Sequence, residues 1–193
     1  MKKIDINNAT FIEYNELINT LDIVQKNPEF MYLIDEQPHA VKELLADRDI
    51  RMVKYMRDPP RRLKLRSVRE DSRSLINMKY QPRYIQLEAV KYHPKAIKYI
   101  TNPTGAMQLL AIGHNPKYIK SIAKPTIATQ LAAVRKKGIL IRYIENPSTR
   151  VKAAAIRQSE DALQHIVNPS KQDYVLHNKL YGKEAQIRSS KNK

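Results

Sequence analysis

The chain has no cysteine, only 4 glycines and only 2 phenylalanines in 193 residues. Without cysteine there are no disulfides and no thiolate zinc site, and the redox compartment is left open. With so little glycine there is no glycine-rich phosphate loop, and no nucleophile motif occurs either. No stretch approaches the ~18 apolar residues of a membrane span, and Met1-Lys2-Lys3-Ile4-Asp5-Ile6-Asn7 has no apolar leader core. A soluble, cytoplasmic, non-enzymatic protein with no cofactor, no small-molecule substrate and no membrane partner is therefore expected. Acid is scarce as well: 19 Asp and Glu face 35 Lys and Arg, a formal charge of +16 with a pI near 9.9. Such a balance calls for an acidic partner, nucleic acid or a ribonucleoprotein surface first. The surplus is uneven, since residues 1–47 hold 4 basic and 9 acidic side chains and residues 48–193 hold 31 and 10.

What the sequence does have is a period. Asn102-Pro103-Thr104, Lys124-Pro125-Thr126, Asn146-Pro147-Ser148 and Asn168-Pro169-Ser170 follow one another at 22-residue intervals. Rows of 22 drawn from Tyr14, with position 2 as the proline slot, extend the echo through residue 167. Position 11 reads Val24, Ala46, Val68, Val90, Ile112, Val134, Ile156. Position 18 reads Met31, Val53, Leu75, Ile97, Ile119, Ile141, Leu163. Position 21 reads Ile34, Met56, Met78, Ile100, Ile122, Ile144, Ile166. At 42% hydrophobic content, one column apolar in all seven rows arises by chance with probability about 0.002. Three such columns mark a stacked-repeat architecture.

Each row predicts two short helices. The first covers about positions 4–13, with an apolar stripe at 6, 8, 10 and 11; the second covers about 15–22, with 17, 18 and 21 apolar. Proline at position 2 and Thr or Ser at position 3 stop one row and start the next. Pro28, Pro94, Pro116 and Gly138 form a second breaker at position 15. An 11-residue apolar period could also describe one long supercoiled helix, but prolines at every 22nd residue break such a rod. The expected fold is all-α: a right-handed α-solenoid of stacked two-helix repeats, a HEAT-like superhelix. Its parts are an N-terminal cap (1–13) with a capping box from Thr10 to Glu13, seven repeats (14–167), a degenerate capping repeat (168–182) and a basic tail (183–193).

Rows such as Gln130-Leu131-Ala132-Ala133-Val134 and Asn146-Pro147-Ser148 resemble the short helical repeats of tailed-phage and giant-virus proteins. That resemblance covers most of the chain and is best over residues 82–170. It implies a viral or phage α-solenoid in the cytoplasm of an infected host, and carries over no catalytic residue. Rows 1–3 depart from it, with Gln37 and Gln81 in the proline slot and a basic Asp58-Pro59-Pro60-Arg61-Arg62.

The strongest chemical signal lies in residues 48–73. Arg48, Arg51, Lys54, Arg57, Arg61, Arg62, Lys64, Arg66, Arg69 and Arg73 stand there against Asp49, Asp58, Glu70 and Asp71. Eight of the ten are arginine, the planar fork that grips phosphate, and four acids inside the block do not neutralise ten bases. Basic residues also recur in register: Arg51, Arg73, Lys95 and Lys117 at position 16; Lys54, Lys98, Lys120 and Arg142 at position 19; Arg69, Lys91, Arg135 and Arg157 at position 12. These are rails able to track a phosphate backbone, or simply solvated slots. Tyr55, Tyr99 and Tyr143 at position 20 either stack nucleobases or pack between helices. His39, His93, His114, His165 and His177 occupy five different positions and offer no metal-ligand set. Glu70-Asp71 and Glu160-Asp161 sit at corners where acids cap helix starts. The expectation is a nucleic-acid-binding protein, RNA or ribonucleoprotein ahead of DNA. The alternative is an adaptor for an acidic host or virion protein.

Overall fold

The computed structural model describes residues 11–34, 37 and 39–182, all helix and connecting turns with no strand among them. The capping box at Thr10 and the basic tail of residues 183–193 lie outside the described residues. Among the described residues there are eight α-helices: α1 Phe11–Lys26, α2 His39–Arg48, α3 Arg61–Glu70, α4 Arg83–Tyr92, α5 Gly105–His114, α6 Ile127–Lys136, α7 Thr149–Gln158 and α8 Lys171–His177. Seven 3₁₀-helices alternate with them: η1 Pro28–Leu33, η2 Ile50–Tyr55, η3 Ser72–Asn77, η4 Pro94–Tyr99, η5 Pro116–Ser121, η6 Gly138–Tyr143 and η7 Glu160–His165. From His39 onward each α-helix starts 22 residues after the last, and so does every 3₁₀-helix. The α limb fills positions 4–13, as the sequence predicts.

The second limb is shorter than expected and is 3₁₀ rather than α. Positions 15, 18 and 21 are three apart, the spacing that a helix of 3.0 residues per turn places on one face. Its last turn closes with N–H to i−3 carbonyl bonds, as from Ile122 to Ile119 (3.2 Å) and from Ile144 to Ile141 (3.0 Å). The last row departs from the pattern, with a π turn, Asn178–Gly182, in place of a 3₁₀ limb.

Caps explain where the limbs begin. Thr104 and Thr126 accept from the backbone N–H three residues on (3.3 and 3.2 Å), and Ser170 with Asp173 forms a full capping box. Position 1 explains the residue before the proline slot: Asp58, Asn146 and Asn168 take φ of 41, 47 and 52°. Their short polar side chains tolerate this left-handed turn.

The residues fall into two compact units, Met1–His93 and Pro94–Lys193. Within the first, Leu21, Val24, Met31, Leu45, Val53 and Leu63 belong to one buried cluster, and α3 packs on α4. Within the second, α5 through α8 each pack on the next, and so do η4 through η7. Position 11 is buried in all seven rows. Position 18 is buried in six, Leu163 being half-buried. Position 8 is not the uniform core position expected: Leu21 and Leu131 are buried, but Leu87 and Leu109 are exposed. It lies at the edge of the stripe formed by positions 6, 10 and 11.

Candidate nucleic-acid interface

The arginine-rich block is brought together by η2, α3 and η3 of the first unit, and its cations are mostly engaged. Arg62 reaches Glu43, Arg66 reaches Asp47 (2.8 Å) and Glu70 (3.1 Å), and Arg69 reaches Glu88 (2.6 Å). Arg48 reaches Asp22 (3.3 Å) and the Gln25 side chain (2.7 Å), while Lys64 holds Asp58 (2.7 Å). The count of four acids therefore falls short, because Asp22, Glu43, Asp47 and Glu88 arrive from neighbouring helices. Three more are held differently. Lys54 lies 4.5 Å from the centre of the Tyr55 ring, Arg61 lies 4.7 Å from that of Tyr84, and Arg57 donates to the Tyr32 carbonyl (2.7 Å). Exposed ion pairs of this kind hold only weakly against solvent and salt. A phosphate can displace them, but at Arg48, Arg62, Lys64, Arg66 and Arg69 each exchange must first release a carboxylate.

Arg51 and Arg73 show how local the neutralisation is. Asp49 and Asp71 cap η2 and η3, each accepting the backbone N–H two residues on at 2.9 Å. The same carboxylates take both Arg51 Nε and Arg73 Nε (2.8–3.2 Å). Those bonds depress the Asp49 and Asp71 carboxyls below their usual range and raise the Arg51 guanidinium. Glu70-Asp71 thus caps a helix start, as expected, through Asp71.

The second unit repeats the scaffold without the carboxylate. Asn115 caps η5 by accepting from Lys117 N–H (3.0 Å), but its amide carries no charge to hold the lysine side chain. Lys95 and Lys98 on η4, Lys117 and Lys120 on η5, and Arg142 on η6 are all exposed. Lys98 lies over Tyr99 (4.6 Å) and Arg142 over Tyr143 (4.9 Å). Positions 16 and 19 eclipse on a 3₁₀-helix, and η4, η5 and η6 pack side by side, so the five cations share one face. Residues 94–182 hold 14 basic and 4 acidic side chains. Among the described residues of this unit the one ion pair is Lys152 with Asp173 (3.7 Å). The position-20 tyrosines therefore stand beside cations, as the spacing predicts, with Tyr143 exposed and Tyr99 half-buried.

One set of residues was not visible in the pattern of apolar columns. Position 7 carries Lys42, Lys64, Gln86, Gln108, Gln130 and Lys152; Lys42 and the three glutamines bond backbone carbonyls of the turns, while Lys64 and Lys152 pair with Asp58 and Asp173. Gln108 is 3% exposed. It donates to Pro103 (3.1 Å) and Lys124 (3.3 Å) carbonyls and accepts from Thr126 N–H (2.9 Å). Lys42 donates to the Arg57 carbonyl (2.6 Å), and burial lowers its ammonium pKa. Gln130 and Gln86 donate to Pro125 (2.9 Å) and Gln81 (3.0 Å) carbonyls. His93 is likewise structural, its ring bonding the Arg69 carbonyl at 2.7 Å.

No protein-family model, characterised protein or solved structure matches this chain.

Proposed function

We propose that the protein is a non-catalytic α-solenoid that binds nucleic acid along the cationic face of η4, η5 and η6. RNA or a ribonucleoprotein surface is the favoured ligand, and the residue echo of phage and giant-virus repeats makes an accessory role in an infected cell the setting. The observation that carries this reading is the uncompensated charge of Lys95, Lys98, Lys117, Lys120 and Arg142 at equivalent places on adjacent helices. Phosphate contacts supply affinity and release counterions, without reading sequence. These cations stand on packed helices, not on a projecting helix able to enter a major groove, which favours RNA over duplex DNA. The arginines of residues 48–73 are a reserve that joins once their carboxylates let go.

Filter binding of a single-stranded RNA across a salt series tests the proposal. Five cations on a single strand give a log–log salt slope of about −3.5. Affinity indifferent to salt, or no RNA binding with one acidic protein retained instead, would replace it with the adaptor reading.

A further inference from the structure

A groove of about 930 Å³ opens in the Met1–His93 unit between η2, α3 and η3. Ser67 and Ser74 line it, where Leu45 and Met52 stand 22 residues earlier in the repeat. Its apolar surface comes from Val53, Met56 and Met78, with Tyr32 and Tyr80 also lining it. Tyr80 is 78% exposed, so its ring is free to close over an occupant. Lys54 and Lys79, both exposed, bring positive charge to the groove, and Asn77 adds an exposed amide. Two carboxylates also line it, but Asp58 is bonded to Lys64 (2.7 Å) and Asp71 to Arg73 (2.8 Å).

We propose that this groove holds one unpaired nucleotide, its base on the Val53–Met56–Met78 surface beside Tyr80 and its phosphate between Lys54 and Lys79. The proposal rests on the nucleic-acid reading above and gives it a preference for single strands. A flat ring with polar edges suits an apolar slot flanked by a tyrosine and an amide. The cations supply the phosphate contact. An aliphatic peptide would leave Lys54, Lys79 and the Asn77 amide unmatched. The volume lies within the ~300–1,000 Å³ of ordinary ligand sites.

The test titrates the full-length chain with UMP, AMP and uridine, followed by backbone amide shifts and equilibrium dialysis. UMP or AMP is expected to move Asn77 and Lys79, with uridine binding more weakly. Tyr80→Ala and Ser74→Met are each expected to weaken the nucleotide at least about fivefold, the lower end of what one stacked base contributes. Ser74→Met restores the residue of the preceding row, so it fills the groove without breaking the fold, and thermal melting checks that. The proposal is overturned if the wild type binds no nucleotide at millimolar concentration. It is also overturned if binding ignores both substitutions but vanishes in Lys98→Glu/Lys117→Glu/Lys120→Glu, or if an acidic peptide occupies the groove and UMP does not displace it. Unchanged RNA retention with no mononucleotide binding sinks this site and spares the cationic face. Mononucleotide binding without RNA retention does the reverse.

Discussion

Position 14 decides, with one functional group, whether the cation two residues later is available. Asp49 and Asp71 cap their 3₁₀-helices and clamp Arg51 and Arg73, while Asn115 caps as well and leaves Lys117 exposed. Changing Asp49→Asn and Asp71→Asn together should keep both caps, as Asn115 shows, and raise affinity for RNA severalfold. The filter assay that defines the salt slope checks it. The same carboxylates carry a pH signature. Their folded pKa values lie below the usual 3.8, so their stabilisation is full above that value and is lost as pH falls through it toward the folded values. Circular dichroism from pH 5 to pH 2 should show less acid sensitivity in the double variant than in wild type. Gly138 is a second decisive residue. A Cβ there would meet the Ala155 carbonyl oxygen at 2.5 Å, so Gly138→Ala should cost about 1–3 kcal/mol in thermal or urea unfolding.

Among the elements, the α limbs were legible because they depend on local features: an apolar stripe, a proline slot and a Thr or Ser cap. The 3₁₀ nature of the second limb was present as a three-residue spacing between positions 18 and 21, though the expectation gave it two more residues than form helix. Ion pairing was not legible at the repeat period, for a geometric reason. Arg62–Glu43, Arg66–Asp47 and Arg69–Glu88 each join residues 19 apart. Neighbouring α-helices in the first unit thus match side chains three positions out of step with the 22-residue echo. Opposite charges at an offset of 19 are the signal that finds these pairs, and between α5, α6, α7 and α8 no such pair occurs. Position 7 escaped notice because its work is polar. Replacing Gln108 by Leu would strand two carbonyls and the Thr126 N–H, at a cost of about 1–3 kcal/mol. Thermal unfolding of Gln108→Leu measures it; a melting point equal to wild type would show that water replaces the bridge.

For the whole molecule, the sequence places most of its arginine in one unit and most of its uncompensated charge in the other. Composition alone favoured the arginines as the anchor, since it counts charges without their partners. The structure separates the two quantities, and charge reversal separates them experimentally. Arg61→Glu/Arg62→Glu/Arg66→Glu sets new carboxylates beside Glu43, Asp47 and Glu70, which now hold Arg62 and Arg66. Its first effect should be a lower melting temperature, with RNA affinity changed by less than about tenfold. Lys98→Glu/Lys117→Glu/Lys120→Glu touches no carboxylate contact, so melting should stay within a degree or two of wild type. Its RNA affinity should fall by about a hundredfold or more, and its salt slope should flatten with the loss of those phosphate contacts. If the arginine variant loses RNA and the lysine variant keeps it, the anchor lies in residues 48–73 and their carboxylates open on binding. Melting curves and filter binding on the same two preparations decide between these outcomes, because the two faces exchange roles in both measurements at once.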